Sequence, residues 1–262
     1  MNGKRILLTG AAGAFGRAIA AELTAVGARV VGVDRAPGTD LRCDITDRAA
    51  VDAAVGEALE RLGGLDVLVN NAGLGTAGPA GEGPGREDRE VLDANFLGAW
   101  HMASAALPAL LASRGQLINV ASLLAVVPLP LTTAYAASKR ALCALSDTMR
   151  AEHGGRLAVT TVYPGYAATP IHTAAEARSG ASLHGMAPEE TPAHVARAVA
   201  RAIRRRPRDQ ATTRVGAVVL RAVRAAPGLA ERVIALRTRR MLAELSAPDP
   251  YDERPTSDPL PR

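Results

Sequence analysis

Tyr135 and Lys139 lie four residues apart in the run Ala-Tyr-Ala-Ala-Ser-Lys at 134–139. On a helix this spacing places both side chains on one face, with their Cβ atoms roughly 5–6 Å apart. A free tyrosine has a pKa of about 10 and carries protons poorly near neutrality. A neighbouring ammonium favours the phenolate and lowers that pKa. The pair therefore predicts a proton-transfer site, although the same spacing also occurs by chance on ordinary amphipathic helices.

A glycine-rich turn near the start of the chain could bind a nucleotide. Residues 9–16 read Thr-Gly-Ala-Ala-Gly-Ala-Phe-Gly, between a predicted strand and a predicted helix. Gly10, Gly13 and Gly16 would let the backbone approach a pyrophosphate, whose charge would face the helix N-terminus. The strand–turn–helix context indicates a dinucleotide site.

Asp34 ends the second predicted strand, 18 residues beyond Gly16. A carboxylate there can accept hydrogen bonds from both adenosine ribose hydroxyls and repel a 2′-phosphate, which favours NAD over NADP. Arg35 could bind such a phosphate, so NADP is the less favoured alternative. A second alternative is that Asp34 only caps a turn.

Short β-branched runs alternate with Ala-rich helical stretches along the first 205 residues. This alternation predicts parallel βαβ units with right-handed crossovers, hence an α/β fold with a Rossmann-type doubly wound parallel sheet and helices on both faces. The predicted strands are 5–9, 29–33, 65–69, 116–120 and 157–162, and the predicted helices include 17–26 and 47–62. Residues 1–205 are expected to form a single dinucleotide-binding and catalytic domain.

Several further motifs occur in order over residues 4 to 205. They are Cys43-Asp44-Ile45, Asn70-Asn-Ala-Gly73, Asn95-Phe-Leu-Gly98, Ser122 thirteen residues before Tyr135, and Pro164-Gly-Tyr-Ala-Ala-Thr-Pro170. Together with the Tyr135/Lys139 pair, they resemble the short-chain dehydrogenase/reductase family in its standard-length branch. One departure is the glycine loop, since that branch usually has TGxxxGxG and this chain has TGxxGxxG, with Ala14 where a glycine is usual.

The resemblance implies roles for four catalytic residues. Tyr135 would donate a proton to a carbonyl oxygen or remove one from an alcohol. Lys139 would depress the pKa of that tyrosine and bind the nicotinamide ribose. Ser122 would hold the substrate oxygen and stabilise its developing charge. Asn95 would position a water molecule that connects Lys139 to solvent.

The resemblance also implies which residues contact a nicotinamide cofactor and the substrate. The expected cofactor residues are Gly10, Gly13, Phe15, Gly16, Asp34, Asp44, Ile45, Asn71, Ala72, Gly73, Tyr135, Lys139, Pro164, Gly165, Ala167 and Thr169. Leu124 and Tyr166 are expected to contact the substrate. Cys43 and Cys143 lie 100 positions apart with no metal-ligand spacing around them, so no metal is expected.

Apolar residues near the predicted site indicate a hydrophobic alcohol or ketone, such as a steroid, a polyketide-like ring or a fatty acyl chain. The residues in question are Leu123, Leu124, Leu129 and Leu131. An equally weighted alternative is that they fill the core around a loop. The leading hypothesis is an NAD-dependent alcohol dehydrogenase or ketone reductase. The alternatives are an NADPH-dependent ketoacyl or polyketide ketoreductase, and a cofactor-binding regulator with idle chemistry.

The net charge of +5 is unevenly distributed. Residues 197–240 hold thirteen arginines and two acidic residues, so the remaining chain is acidic overall. Residues 206–245 are expected to form a basic amphipathic helical extension, and 246–262 a disordered tail. The extension could pack on the core or lie on an anionic membrane surface. Nucleic-acid binding is not expected, because only seven aromatic residues are available for stacking.

The cellular setting and assembly are also expectations. The chain has two isolated cysteines, no run of about 18 apolar residues, and no apolar signal segment before the glycine-rich turn. These features favour a cytoplasmic protein. The family resemblance implies a homodimer or homotetramer packed through the helices that contain Asn95 and Tyr135.

Overall fold

A parallel seven-stranded sheet forms the centre of the molecule. The computed structural model describes residues 1–78, 80–81, 83–127, 129–165, 190–230, 232–233 and 235–236. The strands are β1 (Arg5–Thr9), β2 (Arg29–Asp34), β3 (Leu41–Arg42), β4 (Val67–Asn70), β5 (Gln116–Val120), β6 (Ala158–Tyr163) and β7 (Asp209–Ala211). Their order in the sheet is β3-β2-β1-β4-β5-β6-β7, and it reverses between β1 and β4. Doubly wound sheets bind ligands at such a reversal.

Helices cover both faces of this sheet, which confirms the predicted fold class. They are α1 (Ala14–Ala25), α2 (Arg48–Leu62), α3 (Arg86–Leu92), α4 (Ala99–Ala112), α5 (Thr133–His153), α6 (Pro192–Arg205) and α7 (Arg214–Ala225). A π-helix, Asp93–Gly98, joins α3 to α4, and a short 3₁₀-helix, Leu123–Ala125, follows β5.

The central strands are apolar because both of their faces are buried. Leu7 packs into the cluster formed with α2, α4 and α5. Its neighbours Ile6 and Leu8 point to the opposite face, into the cluster formed with α1 and α6. Alternate residues of β1 thus enter separate cores, as expected for a parallel strand between two helical layers. This packing fixes where the carboxyl ends of the strands emerge.

Two strands were not predicted from the sequence. β3 has two residues and β7 has three, too short for a recognisable alternation of apolar and polar residues. β7 pairs with β6 through Asp209 to Ala211, so the sheet continues past the domain boundary expected at residue 205. α1 begins at Ala14 rather than Arg17, since Gly13 is its N-cap.

The C-terminal part of the chain is described as far as residue 236. It contains α7 and further helical residues at 227–230, 232–233 and 235–236, with Val215, Val218 and Leu229 exposed. Within the described ranges, no helix is long and apolar enough to cross a membrane. Contact with a membrane surface and assembly into a homo-oligomer stay predictions. The predicted tail, 246–262, lies outside the described residues.

Arg5 and Asp66 connect the starts of β1 and β4. Arg5 Nη2 donates to Asp66 Oδ1 at 2.9 Å, Arg5 Nε donates to Oδ2 at 3.1 Å, and the backbone N–H of Arg5 donates to Oδ2 at 2.9 Å. The Arg5 hydrogen bond lowers the pKa of Asp66 below its ordinary value. A carboxyl group with a lowered folded-state pKa stabilises the fold above its unfolded pKa, and this stability is lost as pH falls through the folded pKa.

We expect Asp66→Asn to lower the free energy of unfolding by about 1–2 kcal/mol at pH 7, because a partly buried charged hydrogen-bond pair is lost. Urea titrations at several pH values would measure this, and the difference should shrink as pH falls below about 4. Asp52→Asn is the control, since the Arg48–Asp52 pair is about half exposed on α2. Equal losses in both variants at pH 7 would contradict the assignment.

Candidate active site

The turn between β1 and α1 makes very close backbone contacts. Gly10 has a φ of +68°, and a Cβ there would lie 2.7 Å from Ala72 Cα. A Cβ on Gly16 would lie 2.7 Å from Ala11 Cα and closer still to the Gly10 carbonyl oxygen. Gly13 caps α1 without a side-chain hydrogen bond, so the first N–H groups of α1 keep capacity for an anion.

Thr9 and Asn71 hold this turn against the end of β4. The Thr9 hydroxyl oxygen accepts hydrogen bonds from the backbone N–H groups of Asn71 at 3.0 Å and Ala72 at 3.1 Å. Asn71 Nδ2 donates to the carbonyl oxygens of Thr9 at 3.1 Å and Gly10 at 3.2 Å. The two segments expected to contact the cofactor are therefore joined directly to each other.

Asp34 lies at the end of β2 and faces the glycine turn. Its Oδ2 accepts from the backbone N–H of Ala12 at 3.0 Å, and its Oδ1 accepts from that of Ala36 at 2.9 Å. Each carboxylate oxygen has two acceptor positions, so one on each remains for a ligand hydroxyl. Asp34 therefore does cap the turn, as considered from the sequence. The remaining acceptor position on each oxygen is available to a ribose hydroxyl.

A cavity of about 540 Å³ opens along this edge of the sheet. Ten of the predicted cofactor residues line it: Gly10, Gly13, Phe15, Gly16, Asp34, Asp44, Ile45, Asn71, Ala72 and Gly73. Asp44 lies at one side, where hydrogen bonds from the backbone and hydroxyl of Thr46 lower the pKa of its carboxyl group. The cavity thus combines glycine backbone, a helix N-terminus and two carboxylates, which are the kinds of group found in dinucleotide sites.

Asn95 connects the cavity to α5. It lies in the π-helix, a wider turn than the α-helix that is frequent at functional sites. Its Oδ1 accepts from the Leu74 backbone N–H at 2.7 Å, and its Nδ2 donates to the Leu74 carbonyl at 2.9 Å and to Ser138 Oγ at 3.0 Å. The side chain is fully buried and connects the Leu74 backbone to Ser138 on α5. Its role in a water relay stays a prediction.

Near Asn95 lie three further predicted residues, Ser122, Tyr135 and Lys139. Ser122 follows β5 and accepts from the Leu124 backbone N–H at 3.1 Å, and its hydroxyl is close enough to Tyr135 to lower the pKa of that phenol. Lys139 Nζ lies 5.8 Å from the centre of the Tyr135 ring and donates to the Val120 carbonyl at 3.1 Å. The serine, tyrosine and lysine predicted from spacing alone are therefore neighbours in the fold.

The pKa of the tyrosine differs from the sequence-based expectation. Burial raises the pKa of Tyr135 above its ordinary value, and the Ser122 hydrogen bond lowers it in part. Lys139 is not among the groups that shift this pKa, and its ammonium donates to the Val120 carbonyl, so stabilisation of the phenolate by Lys139 stays a prediction. Burial lowers the pKa of Lys139 itself to about 8. Near neutrality the lysine is charged and the tyrosine carries its proton.

The end of β6 leads into the remaining predicted positions. The Pro164 carbonyl accepts from the Leu123 backbone N–H at 2.8 Å, which places this segment beside Ser122. Gly165 donates its N–H to Glu190 Oε1 at 3.0 Å. Leu124 is half-buried next to Ser122. Tyr166, Ala167 and Thr169 lie outside the described residues, and their predicted contacts are untested.

Three residues with clear tasks at the site were not singled out from the sequence. They are Thr9, Ser138 and Glu190. Ser138 lies three positions after Tyr135, so helical spacing could have placed it on the same face. Thr9 occupies an ordinary strand end, and Glu190 is far along the chain from its partner Gly165, so neither carried a local signal.

The chain matches the family model described as short chain dehydrogenase over residues 4–180. That match covers more than half of the sequence. The chain belongs to the short-chain dehydrogenase family. Membership makes it an oxidoreductase that uses a nicotinamide cofactor, and the glycine turn and cavity fit such a group on geometric grounds.

Known relatives agree with this assignment. The bovine (Bos taurus) dehydrogenase/reductase SDR family member 7B is 32% identical, with 90% of this chain and 81% of the relative aligned. Trans-4-hydroxycyclohexanecarboxylate dehydrogenase from Sinomonas cyclohexanicum is 34% identical over 64% of this chain and 74% of the relative. Among solved structures, a 3-ketoacyl-(acyl-carrier-protein) reductase from Brucella melitensis complexed with NADH has a TM-score of 0.69 and 28% identity, covering 77% of this chain and 91% of that one.

We expect Gly16→Ala to weaken NADH binding at least tenfold, because a methyl group at this position would collide with the backbone of Gly10 and Ala11. Fluorescence titration with NADH would measure the dissociation constant. Gly56→Ala is the matched control, since a Cβ at this position in α2 meets no heavy atom within 4 Å. Unchanged NADH affinity in Gly16→Ala would show that the turn does not contact the cofactor.

Proposed function

We propose that the protein is an NAD-dependent alcohol dehydrogenase or ketone reductase. The observation that carries this proposal is the position of Gly73. Gly73 lines the cavity, and a Cβ on it would lie 3.1 Å from Asn95 Oδ1 and 3.3 Å from Lys139 Nζ. A ligand that fills the cavity past Gly73 therefore reaches the residues able to move a proton.

Tyr135 is the proposed acid in ketone reduction and the proposed base in alcohol oxidation. In reduction its hydroxyl donates a proton to the carbonyl oxygen of the substrate, and Ser122 donates a hydrogen bond to the same oxygen. Burial favours the protonated tyrosine at neutral pH, which suits the reducing direction. The bound cofactor would supply or accept the hydride.

The positive charge of Lys139 stabilises the phenolate that Tyr135 becomes after donating its proton. Lys139 is 4% exposed, and its ammonium is close enough to the ring for its charge to act through a poorly solvated environment. Because its pKa is about 8, the lysine keeps its charge at pH 7. The Val120 carbonyl and the packing around α5 hold the ammonium in place, which limits the cost of reorganisation during the reaction.

The proposed preference for NAD rests on Asp34. Its carboxylate faces the cavity beside the glycine turn, where it would accept hydrogen bonds from the adenosine ribose and repel a 2′-phosphate. Arg35 also lines this part of the cavity and supports NADP as the alternative. The relative from Brucella melitensis, whose structure contains NADH, agrees with the first choice.

The proposed substrate is a hydrophobic secondary alcohol or its ketone. Leu123 packs against the core cluster of Ala121, Tyr163 and Leu220. Leu124 is half-buried next to Ser122, so an apolar body would contact it while its oxygen meets the serine hydroxyl. The name of the Sinomonas relative describes a cyclic alcohol, which supports cyclic ketones as first test substrates. A 3-ketoacyl substrate is the second candidate, favoured by the likeness to the Brucella melitensis reductase.

We expect Tyr135→Phe to lower kcat for ketone reduction by about 10²–10⁴-fold, because the proton donor is removed and the ring is kept. Turnover of NADH with a panel of cyclic ketones and a 3-ketoacyl thioester would measure this. Tyr163→Phe is the control: Tyr163 is buried, and its hydroxyl accepts from Arg224 away from the cavity. Equal turnover by wild type and Tyr135→Phe would disprove the proton-transfer role.

We expect wild type to prefer NADH over NADPH, and Asp34→Ser to reduce or reverse this preference by removing a charge that repels the 2′-phosphate. The ratio of kcat/KM for the two cofactors is the measurement. Asp52→Ser, on the exposed face of α2, should keep the wild-type ratio. A wild-type preference for NADPH would contradict the cofactor assignment.

A further inference from the structure

Glu190 is a buried carboxylate at a junction of three segments. It is 5% exposed, and its Oε1 accepts from the Gly165 backbone N–H at 3.0 Å and from the Thr213 hydroxyl at 3.4 Å. Its Oε2 has no hydrogen-bond partner within the described ranges. Burying a carboxylate is costly unless donors compensate it, so these two contacts are needed to hold the group in place.

Gly165 is shaped to receive this carboxylate. A Cβ at Gly165 would lie 2.6 Å from Glu190 Oε1 and 3.2 Å from its Cδ. Any side chain there would therefore displace the carboxylate or push the backbone of Gly165 away. Gly165 and the Glu190 carboxylate therefore pack directly against each other at the end of β6.

Thr213 extends the same unit to α7. It is the N-cap of that helix, and its hydroxyl oxygen accepts from the Gly216 backbone N–H at 3.1 Å while its proton is directed at Glu190. The preceding Thr212 donates its hydroxyl to the Tyr163 carbonyl at 3.3 Å. The start of α7 is therefore tied to both the last residue of β6 and the segment that follows it.

We propose that Glu190 is a positioning residue for the nicotinamide end of the cofactor site, acting through the backbone of Gly165. This inference rests on the proposed function: hydride transfer next to Ser122 puts the nicotinamide near Pro164, whose carbonyl accepts from the Leu123 backbone N–H, and near the adjoining Gly165, both expected from the sequence to contact the cofactor. Glu190 is absent from the cavity lining that holds the glycine turn and Asp34. Loss of its carboxylate therefore weakens binding of the whole dinucleotide and spares binding of its ADP-ribose half.

The test compares dissociation constants for NADH and ADP-ribose by calorimetry in Glu190→Ala, Glu190→Gln and wild type. We expect Glu190→Ala to weaken NADH binding by about tenfold, the equivalent of one lost hydrogen bond to a charged group, with ADP-ribose affinity changed less than about twofold. Glu190→Gln keeps an acceptor oxygen for Gly165 and should stay close to wild type. Glu60→Ala, exposed on α2, is the control.

A second pair of variants covers the case in which Glu190→Ala does not fold. Thr213→Val removes the hydroxyl that reaches Glu190 and should weaken NADH binding without affecting ADP-ribose, whereas Thr213→Ser should behave as wild type. Where all variants fold, the double variant should lose less affinity than the product of the single losses, because both act on one contact.

The outcomes separate the inference from the proposed function. If wild type binds neither NADH nor ADP-ribose, the proposed function fails. If wild type binds both and Glu190→Ala keeps its NADH affinity, the positioning role is overturned. Equal loss of both ligands in Glu190→Ala also overturns it, since Glu190 would then stabilise the fold in general.

Discussion

Direct contact between the backbones of two strand ends determines the rest of the site. Gly10 lies against Ala72 so closely that no side chain fits between them, and the Thr9 hydroxyl receives two N–H groups from the end of β4. The glycine turn cannot move without moving Asn71 and Gly73. Gly73 lies beside Asn95 and Lys139, so the segment that lines the cavity also packs against the residues proposed to move a proton.

The π-helix carries Asn95, which brings Leu74 and Ser138 together although they are distant in sequence. The insertion of a wider turn between α3 and α4 accompanies an Asn95 side chain that is wholly buried, where its amide bridges the Leu74 backbone and Ser138 on α5. An amide is suited to this task because it both donates and accepts. An isosteric leucine would leave the Leu74 N–H and carbonyl unpaired in the interior.

Motif order in the sequence was sufficient to predict the sheet, its parallel arrangement, and the glycine turn, Asp34 and the Asn71–Gly73 segment that line the cavity. β1 and β5 have the predicted bounds, since a buried strand followed by a glycine or serine turn carries a strong local signal. The tilt of Lys139 toward Val120 and the junction at Glu190 were not predictable, because each depends on packing between segments remote in sequence. The short strands β3 and β7 were not predictable either, because their formation depends on pairing with β2 and β6.

Burial of the Lys139 ammonium has a consequence for the stability of the whole protein. A shift of its pKa from 10.5 to about 8 means that the folded state disfavours the charged lysine by about 3 kcal/mol. The folded protein carries this penalty at neutral pH and loses it as pH rises through the range between the two values. Domains of this kind are stable by about 5–15 kcal/mol, so the two apolar layers around the sheet must offset a substantial cost that arises from one functional group.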